Sequence, residues 1–276
     1  MPIEQRKIFW AIILIVAIIP VIHPLRLPVS VSSETRDFYN VLNEIPSGSK
    51  VVFGVTLTGP PVGLRSGYYA LLSFMYSHNL KVIFIPLGIG GELACEYIAT
   101  YGGVVEKYGL QYGEDYVIMP FLSGEETGMA AIATNFRQAY SMDYLNTPID
   151  SIPLLDGINN FNDIDLAIAQ YGIFTFGEMF VRQWAVNYKP ILIMGQFYGI
   201  APYYGTYVNG NLDASMTKAW AEWEYIVNIP GEELIRLDAQ NLQGLVTVGM
   251  LFCMIIMGLT DSGRELLKKW RFDTRF

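Results

Sequence analysis

The central part of the chain alternates between short apolar runs and longer segments with helical spacing. Runs of this length, bounded by glycine and proline, are typical of buried strands. Five of them are each followed by a helical pattern, at 51–57, 81–87, 116–122, 164–172 and 190–195. The alternation predicts an α/β domain, Rossmann-like or flavodoxin-like, with a mainly parallel five-stranded sheet and helices on both faces. We predict the strand order 2-1-3-4-5.

The flanks of these runs complete the predicted layout. A helix with Ser33 as its N-cap precedes the first strand, and a helix over 214–228 ends the series. Two long segments, 141–163 and 196–213, interrupt the alternation. Loops of this length inside a compact domain usually have a function or make contacts with another part of the protein or with a partner.

Both ends of the chain carry apolar segments, 8–25 and 242–260, of the length that spans a bilayer. We predict that each is a transmembrane helix. Buried core helices are the alternative for both segments. For the first segment, a cleaved signal peptide is a further alternative.

Charges beside these segments predict the orientation of the chain. Two basic residues precede the first segment, and five basic residues follow the second. The region 27–237 holds 10 basic and 21 acidic residues. Basic flanks favour the cytoplasmic side of a membrane. We therefore expect a cell-membrane protein with a cytoplasmic N-terminus at 1–7, an extracytoplasmic domain at 26–237 and a basic cytoplasmic tail at 261–276.

The overall composition supports this layout and excludes several protein classes. The chain of 276 residues is 52% hydrophobic and only 16% charged, with a net charge of −8. An acidic balance argues against nucleic acid as a partner. Its two cysteines, Cys95 and Cys253, lie far apart in the chain, so neither a disulfide framework nor a CxxC zinc site is indicated.

Polar and glycine residues lie at the carboxyl ends of all five predicted strands. In an open α/β sheet, ligands bind beyond the carboxyl ends of the strands. The candidate ligand-binding residues are Thr58, Gly59, Gly88, Gly90, Gly91, Ser123, Glu125 and Gln170. Glycines at such positions are also what tight strand-to-helix turns require.

The glycine loop over 88–92 departs from the pattern that binds dinucleotides. That fingerprint is Gly-x-Gly-x-x-Gly, and Leu93 occupies the position of its third glycine. The chain also contains no Walker motif. We interpret the loop as a turn and predict no cofactor.

Catalytic and metal-binding patterns are weak. The chain has two histidines, one of which, His23, adjoins the first apolar segment. Glu125 and Glu126 are candidates for acid–base chemistry, although acidic residues in a first helical turn also stabilise the helix. The Asp- and Asn-rich stretch 156–165 suits calcium or a series of Asx-turns. We predict no catalytic residue and no metal site.

Aromatic residues crowd the loop after the fifth strand and the helix that follows it. Tyrosine and tryptophan are enriched at protein interfaces. The candidate interface residues are Tyr198, Tyr203, Tyr204, Tyr207, Trp220 and Trp223. Packing of this loop against its own domain is one alternative, and the lining of an enzyme pocket is another.

Several stretches strung along the chain carry a family resemblance: DFYNVLNEIPSGSKV (37–51), YGEDYV (112–117), TPIDSIPLLDGINNFNDIDLAI (147–168), YGTYVNGNL (204–212), AEWEYIVNIPG (221–231) and LDAQNL (237–242). In this order they resemble an uncharacterised family of prokaryotic membrane proteins. The resemblance implies one α/β domain between an N-terminal and a C-terminal transmembrane helix, and it implies no activity. The chain departs from that family after the fourth strand, where AQYGIFTFGE replaces a stretch of small residues.

These observations lead to three functional hypotheses. The first is a non-enzymatic structural or scaffolding subunit of an oligomeric membrane assembly, with the lipid bilayer and itself or related two-helix chains as partners. The second is a membrane-anchored ligand-binding or sensor domain with its site at the strand ends. The third is an extracytoplasmic enzyme that depends on carboxylates.

Overall fold

A computed structural model of the chain describes residues 28–59, 65–171, 174–185, 187–188, 191–195, 214–216 and 220–227, with 11, 14–15, 18, 22, 245 and 247–251 near the ends. The chain divides into two compact units. One is Ser30–Glu233, and the other joins Met1–Val29 with Leu234–Phe276.

The Ser30–Glu233 unit alternates strands and helices through most of its length. The strands are β1 (Lys50–Val55), β2 (Lys81–Pro86), β3 (Tyr116–Ile118), β4 (Leu166–Tyr171), β5 (Ile191–Gly195) and β6 (Ala214–Met216). The helices are α1 (Ser33–Glu44), α2 (Arg65–Ser77), α3 (Gly91–Thr100), α4 (Val104–Tyr108), α5 (Glu125–Thr134), α6 (Phe136–Ala139), α7 (Phe174–Phe180) and α8 (Trp220–Val227). A π-helix over Val181–Ala185 continues α7.

All six strands form one sheet in the order β3-β2-β1-β4-β5-β6, and every neighbouring pair is parallel. This is the strand order of doubly wound Rossmann-type sheets. The predicted α/β class and parallel sheet are confirmed. The predicted count of five strands and the order 2-1-3-4-5 are wrong. The sixth strand lies at the start of the segment predicted as the last helix, which begins only at Trp220.

Both faces of the sheet are covered, and β1 shows how. Val51, Phe53 and Val55 join one core with α1, α2, α3 and α8, whereas Val52 joins the other with α5, α6 and the π-helix. Successive side chains of a strand point to opposite faces, so a strand buried on both sides must be apolar throughout. Burial on both faces is therefore the reason that the strands appear in the sequence as continuous apolar runs.

The long segment 141–163 belongs to the second core. Its buried side chains are Ile149, Ile152, Leu154, Leu155, Ile158 and Phe161. Tyr144 donates its backbone N–H to the carbonyl of Ile118 at 2.9 Å, which ties the segment to β3. The segment 141–163 therefore packs against the sheet of its own domain.

The apolar segments at the two ends lie largely outside the described residues. None of the helices that the described residues form has the length and apolar character needed to cross a bilayer. The two transmembrane helices and the orientation of the chain stay predictions.

Gly54 provides a test of the packing between β1 and the second core. A Cβ at this position would lie 2.9 Å from Leu87 Cδ1 and 3.1 Å from Trp184 Cζ3, and both side chains are buried. We expect Gly54→Ala to lower the free energy of unfolding by about 1–3 kcal/mol, because the added methyl overpacks the core. Thermal and chemical denaturation measure this change.

The matched control is Gly59→Ala, because no described heavy atom lies within 4 Å of the Cβ position there. Equal stability of the two variants would contradict the packing described for Gly54.

Candidate functional site at the carboxyl edge of the sheet

The order in which strands are added to the sheet reverses between β1 and β4, and this place is the switch point of the sheet. From this point β1, β2 and β3 follow one another to one side, and β4, β5 and β6 follow one another to the other. Because all strands are parallel, their carboxyl ends meet at one edge. Ligands of open α/β sheets bind in the crevice at such a switch point. The candidate residues at the ends of β1, β2 and β4 lie at this edge of the sheet.

Gln170 and Thr56 lie at the switch point, where β1 and β4 end. Gln170 pairs with Val55 in the β1–β4 ladder, and its side chain is buried. The backbone N–H of Thr56 is shared between Gln170 Oε1 at 3.3 Å and the Gln170 carbonyl at 3.2 Å. Gln170 therefore positions the start of the loop after β1. The ligand contact expected for Gln170 from the sequence stays a prediction, and the described contact of its side chain is the one with Thr56.

The glycine loop after β2 packs backbone to backbone against the loop after β1. A Cβ on Gly88 would lie 3.1 Å from the carbonyl oxygen of Thr56, and one on Gly91 would lie 3.0 Å from that of Leu57. Gly90 has φ +73° at the N-cap of α3. Larger residues would push the two loops apart, so glycine is required here for close approach and for a turn.

Thr58 and Gly59 follow in the loop after β1. Thr58 is exposed. Its Cγ2 lies 3.4 Å from the position that a Cβ on Gly88 would take, and its carbonyl oxygen lies 3.7 Å from the position that a Cβ on Gly90 would take. The structure thus brings Thr58, Gly88 and Gly90 together, as expected from the strand ends.

Glu92 connects the glycine loop to the loop after β3. Its Oε1 accepts the backbone N–H of Phe121 at 2.8 Å. Ser123 and Glu125 follow in that loop, and both are exposed. Glu125 begins α5 with φ +46°, an uncommon conformation for a residue with a side chain. These two residues belong to the carboxyl edge, but they follow β3, two strands away from the switch point.

Ser123 also lines a shallow groove of about 650 Å³ along α5 and α6. Small and uncharged side chains form most of its surface, including Thr127, Ala131 and Thr134. The groove lies on the outer side of these helices rather than over the switch point.

Glu126 is held by the π-helix. Arg182 contacts both of its carboxylate oxygens at 2.9 Å, and Gln183 Nε2 donates to Oε1 at 2.8 Å. Trp184 follows directly and donates its indole N–H to the carbonyl of Met129. Hydrogen bonds from Arg182 and then Gln183 lower the pKa of Glu126 to about 2. A carboxylate that stays ionised at neutral pH and is engaged by a fixed guanidinium is a poor general acid or base.

Two other side chains of types that serve in catalysis, His78 and Cys95, lie away from this edge or are unreactive. His78 follows α2 at the amino edge of the sheet, where its Nδ1 lies 2.8 Å from the carbonyl oxygen of Phe74. Burial, and then the Glu92 carboxylate, raise the pKa of the Cys95 thiol far above its ordinary value. A thiol in such surroundings is unreactive.

The Asp- and Asn-rich stretch forms backbone caps. Asp163 accepts the backbone N–H groups of Asn159 and Asn160 at 2.8 and 3.1 Å, and Asp165 accepts that of Lys50 at 2.7 Å. Within the described residues, no group of three or more His, Cys, Asp or Glu side chains is placed to hold a metal ion. Asn160 Oδ1 also accepts the backbone N–H of Asn162 at 2.8 Å, which is an Asx-turn contact of the kind that the sequence left open.

The predicted interface falls into two parts. Tyr198, Tyr203, Tyr204 and Tyr207 lie outside the described residues, as does the side chain of Trp220. Trp223 is fully buried, with its ring 5.4 Å from that of Phe38 and 5.5 Å from that of Phe74. Trp223 thus packs within its own domain, which is the alternative that the sequence left open.

Two roles at this edge escaped the sequence analysis. Thr56 carries the shared N–H at the switch point, and Glu92 joins two loops. Thr56 is the first polar residue within the apolar run 51–57, which is the signal that would have indicated it. Scans against protein-family models, curated proteins and solved structures each gave no match to this chain.

The Glu126–Arg182 contact predicts a specific pH dependence. The pKa of Glu126 is about 2 in the folded chain, below the 4.5 of a free side chain, so its contribution to stability is present above pH 4.5. That contribution is lost as the pH falls from about 4.5 towards 2. We expect Glu126→Gln to lower the thermal midpoint at pH 6 and to have a much smaller effect at pH 3.

The neighbouring Glu125→Gln removes an exposed carboxylate from the same helical turn and serves as the matched control. An effect of Glu126→Gln that is equally large at both pH values would show that charge is not what the contact contributes.

Proposed function

We propose that the Ser30–Glu233 unit is a non-enzymatic binding domain for a small polar ligand, with its site at the carboxyl edge of the sheet, beside the loops after β1 and β2. The observation that carries this proposal is the backbone-to-backbone contact of these two loops next to the switch point. Gly88 and Gly91 permit that contact, and the buried Gln170 supports it from below. The exposed Thr58 lies in the first of these two loops.

The groups at this edge indicate the kind of ligand. Thr58 offers a hydroxyl group, and the glycine loop offers the backbone of Gly88, Gly90 and Gly91, which carry no side chain of their own. Pockets of this kind fix their ligands through a few placed polar groups. Acid–base chemistry is less well supported, because Arg182 engages Glu126 and the exposed Glu125 lies after β3.

We further propose that this domain is anchored in the cell membrane by segments 8–25 and 242–260 and faces away from the cytoplasm. The apolar character of both segments and the basic residues beside them support this arrangement. The family resemblance in the sequence points to the same arrangement.

A second candidate function is a structural subunit of a membrane assembly. The observation that favours it is the exposure of large apolar side chains in the Met1–Val29 and Leu234–Phe276 unit. Seven of them are 43–64% exposed: Leu14, Ile15, Ile18, Ile22, Val248, Met250 and Leu251. Surfaces of this kind need lipid or a partner chain to cover them.

The binding proposal predicts a ligand that stabilises the folded chain. We expect a thermal-shift panel of amino acids, sugars, nucleosides and their phosphates to contain one, since a ligand at 100 times its Kd adds about 2.7 kcal/mol. Thr58→Val should weaken that ligand by up to about tenfold, because one hydrogen bond is lost.

The matched control is Thr100→Val, which makes the same change at the far end of α3. A panel without a stabilising compound, or a compound that binds equally well to the Thr58→Val variant, would count against the proposed site.

The assembly proposal predicts a discrete oligomer. We expect native mass spectrometry of the full chain, extracted in a mild detergent, to give one defined multiple of the chain mass. A monomer at every concentration tested would contradict it.

A further inference from the structure

A single buried carboxylate joins the first and the last described helix of the Ser30–Glu233 unit. Glu222 in α8 is only 8% exposed. Its Oε2 accepts hydrogen bonds from the backbone N–H of Ser32 at 3.0 Å, from Ser32 Oγ at 2.6 Å and from Thr35 Oγ1 at 2.8 Å. These contacts link residues 187 and 190 positions apart in the chain.

The donors belong to the N-terminus of α1. Ser32 is the N-cap of this helix, and its hydroxyl oxygen also accepts the backbone N–H of Thr35. The first turn of a helix carries unpaired N–H groups and a partial positive charge, which a carboxylate stabilises. Glu222 therefore adds a second cap to α1 from another helix. A buried charge tolerates such a position only when it has partners of this kind.

Aromatic packing surrounds the same junction. Trp223, the next residue along α8, contacts Phe38 of α1 and Phe74 of α2. Phe38 and Leu42 are the apolar residues of α1 that are fully buried in the first core. Outside these contacts α1 packs against β6, an edge strand of three residues.

We propose that Glu222 is a latch that holds α1 on α8, and that its release undocks α1 while the sheet stays folded. The reason lies in the topology: α1 precedes β1 and does not connect two strands, so no strand pairing depends on it. Helices attached in this way open locally at a lower free energy than the strands of a core. The latch thereby fixes the first and last helices of the unit as one body.

Hydrogen exchange of the full chain in detergent tests the latch. Thr35→Val removes one hydroxyl donor and keeps the shape of the side chain, and Glu222→Gln removes the charge. For each variant we expect the amides of α1 and α8 to exchange about tenfold faster, since a hydrogen bond to a charged group is worth at least that factor. The amides of β1 and β2 should keep their rates.

The matched control is Glu44→Gln, which removes an exposed carboxylate at the far end of α1. Equal acceleration in α1, β1 and β2 would overturn the proposal, because Glu222 would then support the whole fold. Unchanged exchange in α1 would overturn it as well.

A double-mutant cycle provides the second measurement. If Thr35 acts through Glu222, Thr35→Val should accelerate exchange in α1 much less in the Glu222→Gln background than in the parent chain. Fully additive effects of the two substitutions would contradict a shared hydrogen bond and overturn the latch.

Discussion

The burial of β1 on both of its faces is the constraint on which the rest of the structure depends. Val51, Val52, Phe53 and Val55 are fully buried, with alternate side chains in opposite cores. A strand in this position needs helices above and below it. Parallel strands satisfy that need, because each crossover can carry a helix back over the sheet. At Gly54 the strand gives up a side chain, and the ring of Trp184 fills the space.

The same constraint creates the candidate site. With every strand parallel, the loops that follow them collect at one edge of the sheet. At the switch point β1 and β4 still share a ladder, and beyond it the Thr56 N–H is held by both oxygens of Gln170. The glycine loop then closes on the loop after β1. This contact between two loops at the carboxyl edge is the physical basis of the proposed binding function, and the terminal apolar segments are the basis of the proposed membrane location.

The strands were the part of the fold that sequence predicted best, because a strand buried on both faces leaves a continuous apolar run. Their order was not predicted, since it depends on which strands pair and not on any one segment. The strand Ala214–Met216 was missed because three small or flexible residues form no apolar run. The third strand ends at Ile118 rather than at residue 122, and the N-cap is Ser32 rather than Ser33.

The candidate site was predicted in part for the same physical reasons. Thr58, Gly88 and Gly90 follow strands directly, so topology alone brings them together. The supporting role of Gln170 depends on a neighbouring strand, and the latch joins residues nearly two hundred positions apart. Neither of these two contacts leaves a local pattern in the sequence. Trp223 was assigned to an interface because aromatic residues suit both surfaces and cores, and only its neighbours Phe38 and Phe74 distinguish the two.

The central claim is that the carboxyl edge of the sheet is the edge that binds a ligand. Hydrogen exchange of the full chain in detergent, with and without a defined mixture of amino acids, sugars and nucleosides, tests it most directly. We predict that the mixture slows exchange of the amides of 56–59 and 88–92 and leaves the rates unchanged at the opposite edge, over 48–50 and 79–81. Protection of that opposite edge instead, or no protection at either edge, would contradict it.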